Sequence, residues 1–186
     1  MASSAKPTVL VVEDERALAD TYQRFLEPDF DVRTAYSGES ALELVDVEPD
    51  VVLLDRRMAG VSGDRVLEVM QQRRVDARFA MVTAVDPDFD IIDMGIDEYL
   101  VKPIDKATLV ETVERLLTFD QLHEMRVELS SKRLKRNLLE VEKTPDEIRH
   151  SEAFDRLEAE IDELESRIAD LEWDFADEEV LLERVA

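Results

Sequence analysis

The sequence predicts an α/β fold, a doubly wound five-stranded parallel sheet, followed by a C-terminal helical hairpin or coiled-coil segment. Three observations carry this expectation. Residues 8–118 alternate short apolar runs with amphipathic runs at intervals of roughly 20 residues, the spacing of right-handed βαβ crossovers. Beyond Leu117 no strand signal remains, and Pro145 is the only proline. Residues 154–175 carry an unbroken 3-4 apolar repeat, the mark of a helix with one apolar seam.

A short tail, residues 1–7, precedes the first strand, Thr8 to Val12 (TVLVV). Further strands are expected at Asp31 to Tyr36, Val51 to Asp55, Phe79 to Thr83 and Glu98 to Val101. Continuous Val and Leu runs of this length suit strands covered on both faces. Helices are expected between them at Glu15 to Leu26, Glu39 to Val45, Gly63 to Arg73, a short one near Phe89 to Met94, and Lys106 to Leu117. Ser37 and Ser62 stand where helix N-caps belong, positions at which a hydroxyl satisfies an unpaired backbone N–H.

The remaining residues, 119–186, read as two helices, about 119–143 and 145–182. Leu122, Met125 and Leu129 fall at helical spacing in the first. Thr144-Pro145-Asp146-Glu147 then combines a Thr N-cap, a Pro at the first helical position and a Glu at the third, which is a capping box. Phe154, Leu157, Ile161, Leu164, Ile168, Leu171 and Phe175 follow as a heptad seam. Residues 121–143 carry six Lys or Arg against four Glu, whereas 146–183 carry sixteen acids against three Arg. Opposite charge favours an antiparallel hairpin. The rival arrangement is a parallel homodimer through the C-terminal helices, using the Phe154–Phe175 seam, and the two are compatible if two hairpins meet as a four-helix dimer.

Composition narrows the function classes. There are 46 acidic and 23 basic residues, a formal charge of −23, with 6 Lys against 17 Arg. A surface this negative suits concentrated salt, which screens self-repulsion, and it disfavours general affinity for nucleic acid. Cysteine is absent, which removes disulfides, thiolate catalysis and Cys-ligated metals. Only His123 and His150 are present, so a His-rich transition-metal site is not expected. No run of 18 apolar residues occurs, so no membrane span is expected. The start, MASSAKPTVL, lacks an apolar signal region, and a cytoplasmic protein is expected.

In a parallel α/β sheet the loops at the carboxyl ends of the strands gather into one crevice. Glu13 and Asp14 follow the first strand, Asp55 closes the third, Thr83 ends the fourth and Lys102 follows the fifth. Any one acid after a strand is more often a cap or turn residue. Five such groups at the matching strand ends point to a single site of three carboxylates, an ammonium and a hydroxyl. Close carboxylates repel and need a cation. An all-oxygen donor set specifies a hard ion, Mg²⁺ before Ca²⁺ or Zn²⁺.

These segments, VLVVEDE, VVLLDRRMAGVSG, MVTA and DEYLVKP, resemble the receiver domain of two-component response regulators over residues 8–118. The resemblance implies a flavodoxin-like receiver fold. It implies that Asp55 accepts a phosphoryl group from the phosphohistidine of a sensor histidine kinase. Asp14, Asp55 and the backbone carbonyl of Arg57 would bind Mg²⁺, with Glu13 acting through water. Thr83 would bond the phosphoryl oxygens, Lys102 would pair with them, Tyr99 would be the rotating switch aromatic, and the Lys102–Pro103 peptide would be cis. Such a domain catalyses its own phosphotransfer and slow hydrolysis, and is a switch before it is an enzyme. Two departures stand out. Ala59 follows Met58 where the family has Pro, although Gly63 is kept, and the segment DPDFDIIDMG is short for a helix of the usual switch surface. Arg56 and Arg57 beside an acidic site are either phosphate or carboxylate partners or solvated side chains, the latter being the expectation for Arg56.

Residues 119–186 resemble the HalX-type helical domain found behind receivers in halophilic archaea, on the stretch around Ser131 to Lys143 and on acidity. The output is then expected to be contact with another protein. The alternative is a transcription regulator whose C-terminal helices bind DNA through Lys132, Arg133, Lys135 and Arg136; no helix-turn-helix pattern supports it. A phosphatase of related fold would want a DxD pair, and Asp55 is followed by Arg56 and Arg57.

Overall fold

The computed structural model describes residues 6–183, with side chains to residue 172. Residues 1–5 of the expected tail and the side chain of Phe175 lie outside the described residues. Five strands are present: β1 (Thr8–Val12), β2 (Asp31–Ala35), β3 (Val51–Leu54), β4 (Arg78–Thr83) and β5 (Glu98–Val101). They form one sheet in the order β2-β1-β3-β4-β5, with every pair parallel. The helices are α1 (Arg16–Leu26), α2 (Gly38–Glu43), α3 (Gly63–Gln72), α4 (Lys106–Glu142), α5 (Pro145–Arg149) and α6 (Glu152–Glu183). The chain divides into two compact units between Leu117 and Thr118.

In the first unit, side-chain alternation sorts each apolar strand onto two faces. Val9, Val11, Val51, Leu53, Ala80 and Val82 pack against Tyr22 and Leu26 of α1 and Leu109, Val113 and Leu116 of α4. Leu10, Val12, Val52, Leu54, Phe79 and Met81 pack on the other face against Ala41, Val66, Leu67 and Met70. The continuous runs are therefore apolar because both faces are covered. Ser37 caps α2 by accepting from the Ser40 N–H, and Ser62 caps α3 by accepting from the Arg65 N–H. Residues Phe89–Asp93 form a short 3-10 helix where a short helix is expected. Asp88 caps its start. Gly95, with φ of 66°, ends the segment in a conformation that glycine adopts without penalty, and Gln71 Nε2 donates to the Met94 and Gly95 carbonyls at 3.0 and 2.9 Å.

Two helix boundaries differ from expectation. A single helix, α4, runs from Lys106 to Glu142, where one ending at Leu117 and another starting near 119 are expected. No Gly or Pro interrupts residues 117–121, and the backbone ladder runs through the Thr118–Gln121 pattern without a break. The expected helix 145–182 is broken after α5. Ser151 caps α6, its Oγ accepting from the Phe154 N–H at 3.2 Å and its carbonyl from Phe154 and Asp155 N–H at 2.9 and 3.1 Å. The Thr144 capping box forms as the sequence requires, with both reciprocal hydrogen bonds present.

The second unit is an antiparallel hairpin of the C-terminal part of α4 with α6. Leu122, Met125 and Leu129 pack against Ile161, Leu164 and Ile168. Ion pairs Arg126–Glu172, Arg133–Glu165 and Lys132–Glu160 cross it at 2.5, 2.9 and 2.6 Å; higher numbers on α4 meet lower numbers on α6. Burying each apolar side chain is worth about 1.5–3 kcal/mol, against about 0–1 kcal/mol for an exposed ion pair. The seam holds the hairpin, and the charges choose its orientation. Ile161, Leu164 and Ile168 are buried within one chain, so the hairpin occupies this part of the Phe154–Phe175 seam.

Candidate functional site

The site begins with backbone pairing at the strand ends. The Asp55 N–H donates to the Val12 carbonyl at 2.9 Å, the Glu13 N–H to the Ala35 carbonyl at 3.0 Å, and the Lys102 N–H to the Thr83 carbonyl at 2.9 Å. Those three bonds extend the sheet ladder past the regular strands and bring Glu13, Asp55, Thr83 and Lys102 to the same edge. Glu13 and Asp55 are buried, at 3% and 8% exposure, and Thr83 is fully buried. Lys102 Nζ lies between the first two, 2.5 Å from Glu13 Oε2 and 2.7 Å from Asp55 Oδ2.

Asp14 completes the cluster. One carboxylate oxygen each from Glu13, Asp14 and Asp55 lies within 4.8 Å of the others. Loop backbone fixes their orientation: the Ala59 N–H donates to Asp14 Oδ2 at 2.9 Å, the Arg57 N–H to Asp55 Oδ1 at 3.1 Å and the Glu15 N–H to Glu13 Oε1 at 3.2 Å. Burial raises the Glu13 carboxyl above its usual range, although the Lys102 ammonium works against that. Burial also pulls the Lys102 ammonium down, but its hydrogen bonds to Asp55 and Glu13 outweigh burial and leave it above its ordinary value. Three acids against one ammonium, with oxygen donors alone, fit a hard divalent cation such as Mg²⁺.

The outer residues are placed as follows. Tyr99 OH donates to the Val85 carbonyl at 2.8 Å, and the Val85 N–H reaches Thr83 Oγ1 at 3.4 Å. The buried hydroxyl and the half-buried aromatic are thus joined through one residue. The Lys102–Pro103 peptide is cis. Arg57 is exposed. Gly63 has a steric reason: a Cβ there would lie 2.1 Å from the Asp55 carbonyl oxygen, so α3 approaches the loop after β3 through a glycine.

Arg56 departs from expectation. Its side chain is only 14% exposed. It is not solvated but clamped, with Nε donating to Asp64 at 3.1 Å and the guanidinium also paired with Asp90. The bond to Asp90 raises the guanidinium still further above its ordinary value and lowers the Asp90 carboxyl. Asp64 lies in the first turn of α3 and Asp90 in the 3-10 helix, so the partners are distant in sequence and no local pattern announces them. The Ala59 N–H is likewise a backbone donor that side-chain motifs do not reveal.

The sequence model of the response regulator receiver domain matches residues 9–114. The chain belongs to the response regulator receiver family. A HalX domain follows it, matched over residues 115–185. This receiver is 53% identical over 115 residues to a Haloferax volcanii protein named as a transcriptional regulator, a match covering 61% of this chain and 20% of that protein. It is 32% identical over 114 residues to the response regulator SaeR of Staphylococcus aureus, covering 59% of this chain and 50% of SaeR. The chain thus spans half or less of the length of these curated relatives. Among solved structures, a Francisella response regulator receiver domain superposes with a TM-score of 0.57 at 27% identity, covering 62% of this chain and 99% of that one. The receiver of Methanospirillum hungatei, 23% identical with a TM-score of 0.59 over 63% of this chain and 98% of its own, shares the fold. No described helix of the receiver or the HalX domain is long and apolar enough to cross a membrane.

Proposed function

We propose that this chain is a phosphorylation-switched response regulator whose receiver accepts a phosphoryl group on Asp55 from a sensor histidine kinase and whose HalX helices signal by contact with another protein. The observation that carries the reading is the placement of Lys102 Nζ 2.7 Å from Asp55 Oδ2 with the Glu13 and Asp14 carboxylates within 4.8 Å. An Asp55 carboxylate oxygen attacks phosphorus in line with the phosphohistidine nitrogen. The O–P bond forms, the P–N bond breaks, and the imidazole leaves with the electron pair. Such transfers are mainly positioning and charge neutralisation. Lys102 exchanges Glu13 and Asp55 as partners for a phosphoryl oxygen. Thr83 turns its hydroxyl to another oxygen, which loosens its contact with Val85 and frees the Val85 carbonyl and Tyr99 to rearrange. Asp14, Asp55 and the Arg57 carbonyl would hold Mg²⁺, with Glu13 bonding through water. When bound, the ion offsets charge on the phosphoryl oxygens.

Incubation with acetyl phosphate and Mg²⁺, read by intact mass, tests the acceptor. The wild-type chain should gain one acid- and base-labile phosphate and Asp55→Asn none. A labile phosphate at wild-type level in Asp55→Asn would falsify the assignment.

A second reading, direct control of transcription by DNA contact, is favoured by the name of the Haloferax relative. Against it, Lys132, Arg133 and Arg136 of the basic run face Glu160, Glu165 and Glu158 of α6 at 2.6, 2.9 and 3.7 Å. A gel shift at molar salt with genomic fragments separates the two, since binding there by the full chain would favour DNA output.

A further inference from the structure

Eight large apolar side chains are exposed among the described residues, and five lie on α4; beyond Phe119 these are Val127, Leu134, Leu138 and Val141. They are 58%, 71%, 62% and 81% exposed. Their spacing of 7, 4 and 3 is that of heptad positions d, d, a and d, with Ser131 at the intervening a. At about 100° per residue the four stand about 120–180° around the helix from Leu129, whose side chain is buried in the hairpin. The helix therefore has two apolar stripes. One is used against α6, and the other is unpartnered.

We infer that this second stripe joins two copies of the chain as a parallel two-stranded coiled coil. The flanking residues argue for a second copy and for its direction. In a parallel pair each g position faces the e position five residues on in the partner. Along the stripe itself, Val127 to Val141, that sets Ser130 against Lys135 and Asn137 against Glu142, with no like charges opposed. An antiparallel pair that sets Leu134 against Leu138 would instead oppose Lys135 to Lys135 and Glu128 to Glu142, a repulsive arrangement. The charge of the whole chain points the same way. With 46 acids against 23 bases, copies repel, and the contact falls where acids are sparse. Residues 121–143 hold six basic and four acidic side chains, whereas 146–183 hold sixteen acids and three Arg. The stripe spans about 21 Å at 1.5 Å per residue, short for a stable interface of about 800 Å² per partner. The dimer is therefore concentration-dependent.

The inference does not depend on Asp55 chemistry, and the unphosphorylated full chain tests it. Sedimentation equilibrium in molar KCl, from low micromolar to near-millimolar protein, should show mass rising toward twice that of the monomer. Leu134→Glu with Leu138→Glu should weaken association at least tenfold while helical circular dichroism is unchanged, because both side chains point to solvent. The chain has no cysteine, so Val127→Cys and Val141→Cys, made separately, should each oxidise to a self-linked dimer if the pair is parallel. A chain that stays monomeric throughout overturns the inference. So does a dimer whose constant is unchanged in the double variant, or a dimer in which neither cysteine variant cross-links.

Discussion

Lys102 is held between two buried carboxylates, and that position decides what its removal does. Glu13 is 3% exposed and the Lys102 side chain 13%. Deleting the ammonium leaves buried negative charge without a partner, which costs about 3–5 kcal/mol. Lys102→Ala should therefore melt well below wild type, and Mg²⁺ should raise its melting temperature by more than it raises that of wild type. Equal Mg²⁺ shifts would mean that the carboxylates do not share an ion. Gly63 acts by shape. An added methyl would lie 2.1 Å from the Asp55 carbonyl oxygen, so Gly63→Ala should destabilise by about 1–3 kcal/mol through forced backbone movement. A chemical-denaturation midpoint equal to wild type would contradict that packing. Among the site residues, Glu13, Asp14, Asp55, Thr83 and Lys102 are legible in the sequence because their chemistry sits at strand ends. The Arg56 clamp is not, because Asp64 and Asp90 lie 8 and 34 residues away and only folding brings them to one guanidinium.

At the scale of elements, the hairpin depends on local signals and on pairing. The capping box is a local signal: the Glu147 carboxylate accepts from the Thr144 N–H at 2.9 Å, and that bond, first among its causes, lowers the Glu147 carboxyl. Across the hairpin the Lys132 ammonium lowers the Glu160 carboxyl. A carboxyl lowered on folding contributes stability above its unfolded value, about 4.3, and loses it as pH falls through the lower folded value. The melting difference between wild type and Glu160→Gln should therefore be present near neutrality and shrink as pH drops below about 4. A difference that does not vary with pH would remove the ion pair from the account. The break at Ser151 and the continuity of α4 follow the same local logic. A Ser whose side chain and carbonyl take up the following N–H groups starts a helix, and a stretch without Gly or Pro does not stop one.

For the molecule as a whole, charge sets the response to solvent. With −23 formal charge, repulsion among carboxylates exceeds what a few exposed ion pairs return. Screening shortens from about 10 Å at 0.1 M to about 3 Å at 1 M salt. The melting temperature should rise as KCl increases into the molar range, and a flat or falling curve would argue against a salt-adapted surface.

Sequence alone determined the order of strands and helices, the receiver resemblance, the Leu122–Leu129 spacing and the Phe154–Phe175 seam, because these depend on period, composition and short-range capping. The segment 88–95 was legible as short because Asp88 and Gly95 bound it within a few residues. Three-dimensional packing decided what period cannot. It placed the α6 seam in the hairpin, where Ile161, Leu164 and Ile168 bury against Leu122, Met125 and Leu129 of the same chain. It also decided that Arg56 is clamped, that the loop N–H of Ala59 orients Asp14, and that Val127, Leu134, Leu138 and Val141 remain uncovered. A repeat in sequence states that a face is apolar; only the contacts of the folded chain state which partner covers it.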